Sequence, residues 1–296
     1  MQTRVSRNIA AIGVMLMAYV TFAGLNALVK LLGARYAPAE IAFFRSLFGM
    51  LPLLALMPWQ GGWQALKTQR PLGHLGRGLA GGSAMVLLFW TFQLLPLADG
   101  VAIGFATGPL FVALFAILLL REAVTIKRWM AIAAGFMGVV VMVNPGGHSL
   151  NPFGVAVALS SSVSFGLAMT GVRSLGRTEK PVTTAFYFAL VATVMTAVML
   201  PWGWVTPNFT DLLLLFGVGA FGGIGQLLLT RAYQMALSSV VGPFSYSAIL
   251  WAMLLGWLFW GEWPTLQVIA GAGIVIGAGV AIIFDETWTH RLARDA

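Results

Sequence analysis

The 296-residue sequence contains no cysteine, and only 9% of its residues are charged. The first absence removes disulfides, thiolate nucleophiles and cysteine metal sites together. The second leaves too little polar surface to clothe a soluble globule, because soluble domains carry about 25% charged residues. Histidine is nearly missing as well: His74, His148 and His290 sit at or beyond the ends of apolar runs, too scattered to form a ligand set. Acidic residues avoid the middles of those runs, since Glu40, Asp99, Glu122, Asp211 and Glu262 all fall at ends or turns. A proton or sodium carrier normally shows such a group, or unwound carbonyls, near the membrane midplane, so a dedicated intramembrane carboxylate is not expected. There is no His/Asp/Glu cluster, phosphate-binding loop or nucleophile elbow. The expectation is a non-enzyme with no cofactor and no metal.

What fills the space is hydrophobic residue, 59% of the chain. Measured against about 17–25 residues per membrane-crossing helix, the apolar runs give ten spans. They lie near 9–32, 38–58, 76–95, 98–120, 126–144, 152–174, 181–201, 210–233, 238–260 and 266–284, separated by short breaks of Pro, Gly and charge. The formal net charge of +8 is spread over these breaks rather than clustered, which argues against nucleic acid as a partner. Basic residues also fix orientation. With a cytoplasmic N-terminus, the cytoplasmic ends collect Arg4, Arg7, Lys67, Arg70, Arg77, Arg121, Lys127, Arg128, Arg173, Arg177, Lys180, Arg231, Arg291 and Arg294, and the other side holds only Lys30 and Arg35. The positive-inside rule places both termini in the cytoplasm. Arg4 and Arg7 precede a stretch longer than a signal-peptide core, so it is expected to remain as the first span.

The chain is written twice. At an offset of 143, Phe22, Val29, Lys30, Gly33 and Pro58 meet Phe165, Val172, Arg173, Gly176 and Pro201; at 140, Gly82, Val101, Glu122 and Thr125 meet Gly222, Val241, Glu262 and Thr265. Residues 1–147 and 148–296 are therefore expected to form two five-helix repeats within one membrane domain. An odd span count inserts the second copy with inverted topology, a construction principle of secondary transporters.

The segments LLLREAVTIKRWMAIAAGFMGVVVMV (118–143) and LFWGEWPTLQVIAGAGIVIGAGVAII (258–283) resemble the span 4 to span 5 hairpin of the drug/metabolite transporter superfamily, EamA type. Lys30 followed by Pro38-Ala-Glu-Ile-Ala-Phe-Phe-Arg45 is similar to that family's span 1 to span 2 segment. Overall, the chain looks most like the YddG-type amino-acid exporters. The resemblance implies an all-α membrane protein of ten helices in a 5 + 5 inverted repeat around a central substrate cavity.

A path through such a bundle is lined by residues that lipid would not select. Ser83, Trp90 and Gln93 share one face of span 3, and Gly223, Gln226, Thr230 and Tyr233 share the matching face of span 8. The alternative for this stripe is helix-to-helix hydrogen bonding. Tyr19, Phe22 and Asn26 share a face of span 1, matched by Ser162, Phe165 and Met169. Tyr187 and Tyr246 place hydroxyls inside apolar runs, and Pro109 and Pro243 interrupt spans 4 and 9. Arg45 stands inside a span, where it attracts a substrate carboxylate, snorkels, or pairs with Glu40. Glu122 and Glu262 read as turn residues capping the next helix at Thr125 and Thr265.

The candidate substrate-binding set is thus Tyr19, Asn26, Arg45, Ser83, Trp90, Gln93, Tyr187, Gln226, Thr230, Tyr233 and Tyr246. The expected partners are a small-molecule substrate and membrane lipid, with oligomeric state left open between a monomer and larger assemblies. The expected activity is inner-membrane export of aromatic or neutral amino acids or similar small metabolites by alternating access. Uptake or exchange of larger anionic metabolites, such as nucleotide sugars or sugar phosphates, is the second reading. An intramembrane enzyme or receptor is the third.

Overall fold

A computed structural model describes residues 4–60, 62–94, 97–121, 125–143 and 151–260, with isolated positions from 266 to 277. The helices are α1 (Arg4–Leu32), α2 (Pro38–Gln60), α3 (Pro71–Leu94), α4 (Leu97–Leu120), α5 (Ile126–Val143), α6 (Pro152–Leu175), α7 (Pro181–Ala197), α8 (Phe209–Met235), α9 (Ser238–Val241) and α10 (Ser247–Trp260). Among the described residues there is no strand. Among the described residues, four helices contain a segment both long and apolar enough to cross a membrane, Ser6–Val29, Pro38–Trp59, Pro152–Leu175 and Phe209–Met235, and Leu110–Leu120 and Pro181–Ala197 are shorter apolar helices. Positions 122, 148, 262, 265 and 290, and the tenth expected span apart from isolated positions, lie outside the described residues.

Local sequence sets the helix starts. Proline opens α2, α3, α6 and α7, where its missing N–H costs nothing and its fixed φ suits a first turn. Asn151 caps α6 by accepting from the amides of Phe153 and Gly154 at 3.0 and 3.5 Å, and Asn208 caps α8 by accepting from that of Asp211 at 2.8 Å.

The run expected as one span over 238–260 is instead three pieces: α9, a 3-10 turn at Gly242–Tyr246, and α10. Pro243 has no N–H to continue α9, and the chain tightens into the turn that holds Ser245. The seventh run ends as a helix at Ala197 and finishes in a 3-10 turn, Leu200–Trp202, around Pro201. Pro109 leaves α4 continuous.

Lipid tails are as apolar as leucine, so close packing rather than hydrophobic expulsion holds the helices together. One core joins Met15 and Ala18 of α1, Val112 of α4, Met169 and Val172 of α6, and Leu229 and Tyr233 of α8. Glycine sets the closest approach: a Cβ on Gly223 of α8 would run into the Gly49 carbonyl of α2, and one on Gly219 into Phe48.

The helix contacts fall into mates when residues are exchanged by the offsets of 143 and 140. α1 packs on α8 as α6 packs on α3, α2 packs on α8 as α7 packs on α3, and α2 with α7 is its own mate. Single interactions follow suit. Glu40 accepts from the Val205 amide at 3.1 Å, while its equivalent Thr183 donates to the carbonyl of Ala65, the equivalent of Val205. Tyr36 donates to Asp211 at 2.8 Å beside Asn208, while its equivalent Glu179 accepts from Thr68, the equivalent of Asn208, at 3.0 Å. These two polar ties lie at opposite ends of α2, whose 23 residues span about 34 Å.

Candidate functional site

Between these mated helices is a cavity of about 160 Å³. α1 supplies Tyr19, Phe22, Leu25 and Asn26, α2 supplies Arg45, and α3 supplies Arg77, Met85, Leu88 and Phe89. α6 adds Ser161, Ser162, Phe165 and Met169, α7 adds Phe188, α8 adds Gln226 and Leu229, and Ser245 comes from the 3-10 turn after α9. The lining is therefore drawn from both the first and the second half of the chain. The lining is largely aromatic and apolar, with a few polar groups set into it, as small-molecule sites commonly are.

Those polar groups are positioned by identifiable contacts. Ser161 donates to the Ala84 carbonyl at 2.8 Å, tying α6 to α3, and the hydroxyls of Ser162 and Thr107 lie 2.8 Å apart. Gln226 donates to Thr230 at 3.2 Å, one turn along α8, which orients its amide toward the cavity. The half-buried Asn26 has no hydrogen-bond partner among the described residues. Tyr19 meets Phe22 edge to face, with centroids 6.0 Å apart.

Arg45 is buried and does not pair with Glu40, whose carboxylate is engaged by the Val205 amide. Its Nη1 donates to the Met85 sulfur at 3.1 Å, and its guanidinium lies 5.6 Å from the centre of the Phe188 ring. Phe188 is the residue equivalent to Arg45 under the 143 offset, so the two meet where α2 faces α7. The same ring carries a second cation, Arg77, at 4.3 Å.

Sequence reasoning missed Arg77 by counting it among the cytoplasmic basic residues. It stands six residues beyond Pro71 and is 3% exposed. The available signal was its position in a helix, with Gly81 one turn further on to make room. His74 was likewise placed at a span end, yet it is buried, its ring 4.6 Å from that of Tyr187 and its Nε2 3.7 Å from Glu179.

Of the sequence candidates, Tyr19, Asn26, Arg45 and Gln226 line the cavity together. Thr230 is buried as the hydrogen-bond partner of Gln226, and Tyr233 is fully buried in the core shared by α1, α4, α6 and α8. Tyr187 donates to the Leu66 carbonyl at 2.9 Å, near the start of α3. Ser83 is half-buried outside the lining, and Gly223 packs on α2. Trp90 is 41% exposed and lines a second, larger recess of about 420 Å³ with Pro38, Glu40 and Trp202. The side chains of Gln93 and Tyr246 lie outside the described residues, as does that of Lys30.

The comparisons with known proteins agree on one family. The sequence pattern of the EamA-like transporter family matches residues 9–144 and again residues 152–284. The chain is 29% identical to an S-adenosylmethionine uptake transporter of Rickettsia bellii, covering 93% of this chain and 94% of that one. It is 33% identical to a pseudopaline exporter of Pseudomonas aeruginosa, with coverages of 90% and 93%. It is 27% identical to a riboflavin transporter of Vibrio cholerae, with coverages of 95% and 94%. A crystal structure shares the fold with a TM-score of 0.79 at 19% identity, over 92% of this chain and 96% of that one. With apolar helices of membrane-crossing length and a cavity enclosed among them, the chain belongs to the EamA-like transporter family, multi-pass membrane carriers of small metabolites rather than enzymes.

Proposed function

We propose that this protein is a secondary carrier of the inner membrane that exports amino acids, or similar small metabolites, by rocking its two five-helix halves around the central cavity. The observation that carries the reading is that cavity, because its lining combines residues from both halves. A site built that way opens to one side or the other as the halves tilt. The twofold match of the family pattern supports inverted repeats, as do the mated ties at the two ends of α2. Residues 1–147 and 148–296 are then the two rocking units, with both termini cytoplasmic.

The aromatic walls of Tyr19, Phe22, Phe89 and Phe165 suit apolar or aromatic side chains. Asn26 and Gln226 offer amides to the polar end of an amino acid, and Arg45 offers a guanidinium to its carboxylate. Relatives named for uptake and for export stand at similar identity, consistent with direction being set by gradients across a common scaffold. Exchange of larger anionic metabolites is the second reading, favoured by the second buried arginine, Arg77.

The test is counterflow in proteoliposomes with radiolabelled amino acids, under imposed pH and sodium gradients. Saturable flux of an aromatic or neutral amino acid, competed by its unlabelled form, is expected. Absence of such flux across all amino acids would end the amino-acid assignment.

A further inference from the structure

Two buried arginines share one aromatic ring, and among the described residues neither has a counter-ion. Arg45 and Arg77 are 9% and 3% exposed, and their guanidinium carbons lie 5.6 and 4.3 Å from the centre of the Phe188 ring. Among the described residues neither is paired with a carboxylate, and the cavity lining holds no Asp or Glu. Nε and Nη1 of Arg77 have no hydrogen-bond partner, and Nη1 of Arg45 has only the Met85 sulfur, a weak acceptor. An aromatic face attracts a cation, but a single ring cannot neutralise two. Two like charges held in an apolar bundle without an anion are among the costliest arrangements a fold can keep.

The surrounding helices make room for this pair. A Cβ on Gly81 would overlap the Arg77 guanidinium, and one on Gly171 would come within 3.3 Å of the Arg77 stem. A Cβ on Gly222 would stand 2.9 Å from Cγ of Arg45. Glycines on α3, α6 and α8 thus leave the space that the two side chains occupy. The equivalents of Arg45 and Arg77 in the other half are Phe188 and Gly217, so the doubled charge belongs to one side of an otherwise mated cavity.

We infer that Arg45 and Arg77 form a single anion-binding site across Phe188 that selects substrates of net negative charge. This rests on the carrier reading and, within it, favours the anionic substrates of the second reading over zwitterionic amino acids. A zwitterion brings its carboxylate to the pair but finds no acidic residue in the lining for its ammonium. A substrate with an acylated or absent amine presents the anion without that unmatched cation, and one with a second acidic group offers an anion to each arginine. Asn26, Gln226 and the Ser162 hydroxyl then hydrogen-bond the remaining polar atoms, while the aromatic walls hold its apolar part.

The test is ligand-induced thermal stabilisation of the full-length protein purified in detergent. The probes are phenylalanine amide, phenylalanine and N-acetylphenylalanine, cationic, zwitterionic and anionic on one scaffold, with succinate and succinamide as a second pair. The anions are expected to stabilise at concentrations about tenfold lower than phenylalanine or succinamide, and phenylalanine amide not at all, since hydrogen bonds to charged groups are the strong ones. Arg77→Gln should abolish the ranking, and Arg77→Lys, which keeps the charge and controls for misfolding, should retain part of it. Equal stabilisation by the amide, no stabilisation by any anion, or a ranking that survives Arg77→Gln would overturn the site. Counterflow without the charge ranking leaves the carrier reading standing and removes this inference; the ranking without counterflow does the reverse.

Discussion

At the scale of single residues, the structure separates groups that line the cavity from groups that hold the bundle. Gln226 and Trp90 were candidates of equal standing in the sequence, because both sit on the face of a polar stripe. In the structure Gln226 is buried in the lining with Thr230 behind it, whereas Trp90 is 41% exposed beside Phe153, with ring centroids 5.6 Å apart. Replacing Gln226 with alanine removes a hydrogen bond worth about 1 kcal/mol, and each such loss is roughly a fivefold change in an equilibrium. Gln226→Ala is therefore expected to lower counterflow about fivefold at subsaturating substrate, with unchanged membrane abundance, and Trp90→Ala to lower it less; initial rates in proteoliposomes of matched protein content decide between them. Periodicity could not rank these two, since a helix face is wide enough to look into a cavity at one level and into a vestibule at another. It also hid Arg77, because a basic residue near the start of a span looks the same whether its side chain turns outward to solvent or inward to Phe188.

At the scale of helices, glycine and proline decide the architecture. Starts were partly legible: proline or an asparagine cap marks those of α2, α3, α6, α7 and α8, and the expected boundaries of the first eight spans fall within five residues of the helices. The break at Gly242–Tyr246 was not, since Pro243 in an apolar run is compatible with either a kink or a stop. The choice depends on whether neighbours satisfy the freed backbone groups, which is tertiary information. Gly223 illustrates the same limit, for it counted as one step of the polar stripe and instead sets the contact of α8 with α2. Gly223→Ala would push a methyl group into the Gly49 carbonyl. Overpacking of this kind costs about 1–3 kcal/mol, so a lowered melting temperature in detergent is expected, while alanine at Gly76, with open space around its Cβ, should leave it unchanged.

At the scale of the whole molecule, duplication was the strongest signal in the sequence because it needs no side-chain geometry, only offsets. Overlaying the copies also pointed to where they differ, and the structure brings one such pair, Arg45 and Phe188, into contact between α2 and α7. The mated ties of Tyr36 with Asp211 and of Glu179 with Thr68 join segments near the two ends of α2 with different chemistry, the first reinforced by Arg35 at 3.1 Å. The central claim is that the cavity shared by the two halves is the transport path. Because the chain has no cysteine of its own, Asn26→Cys gives a unique thiol in that cavity. The decisive measurement is counterflow of this variant after treatment with a small, membrane-impermeant thiol reagent, with and without excess transported substrate. Modification should abolish flux, and substrate should slow the modification. Complete modification with undiminished flux would contradict the account.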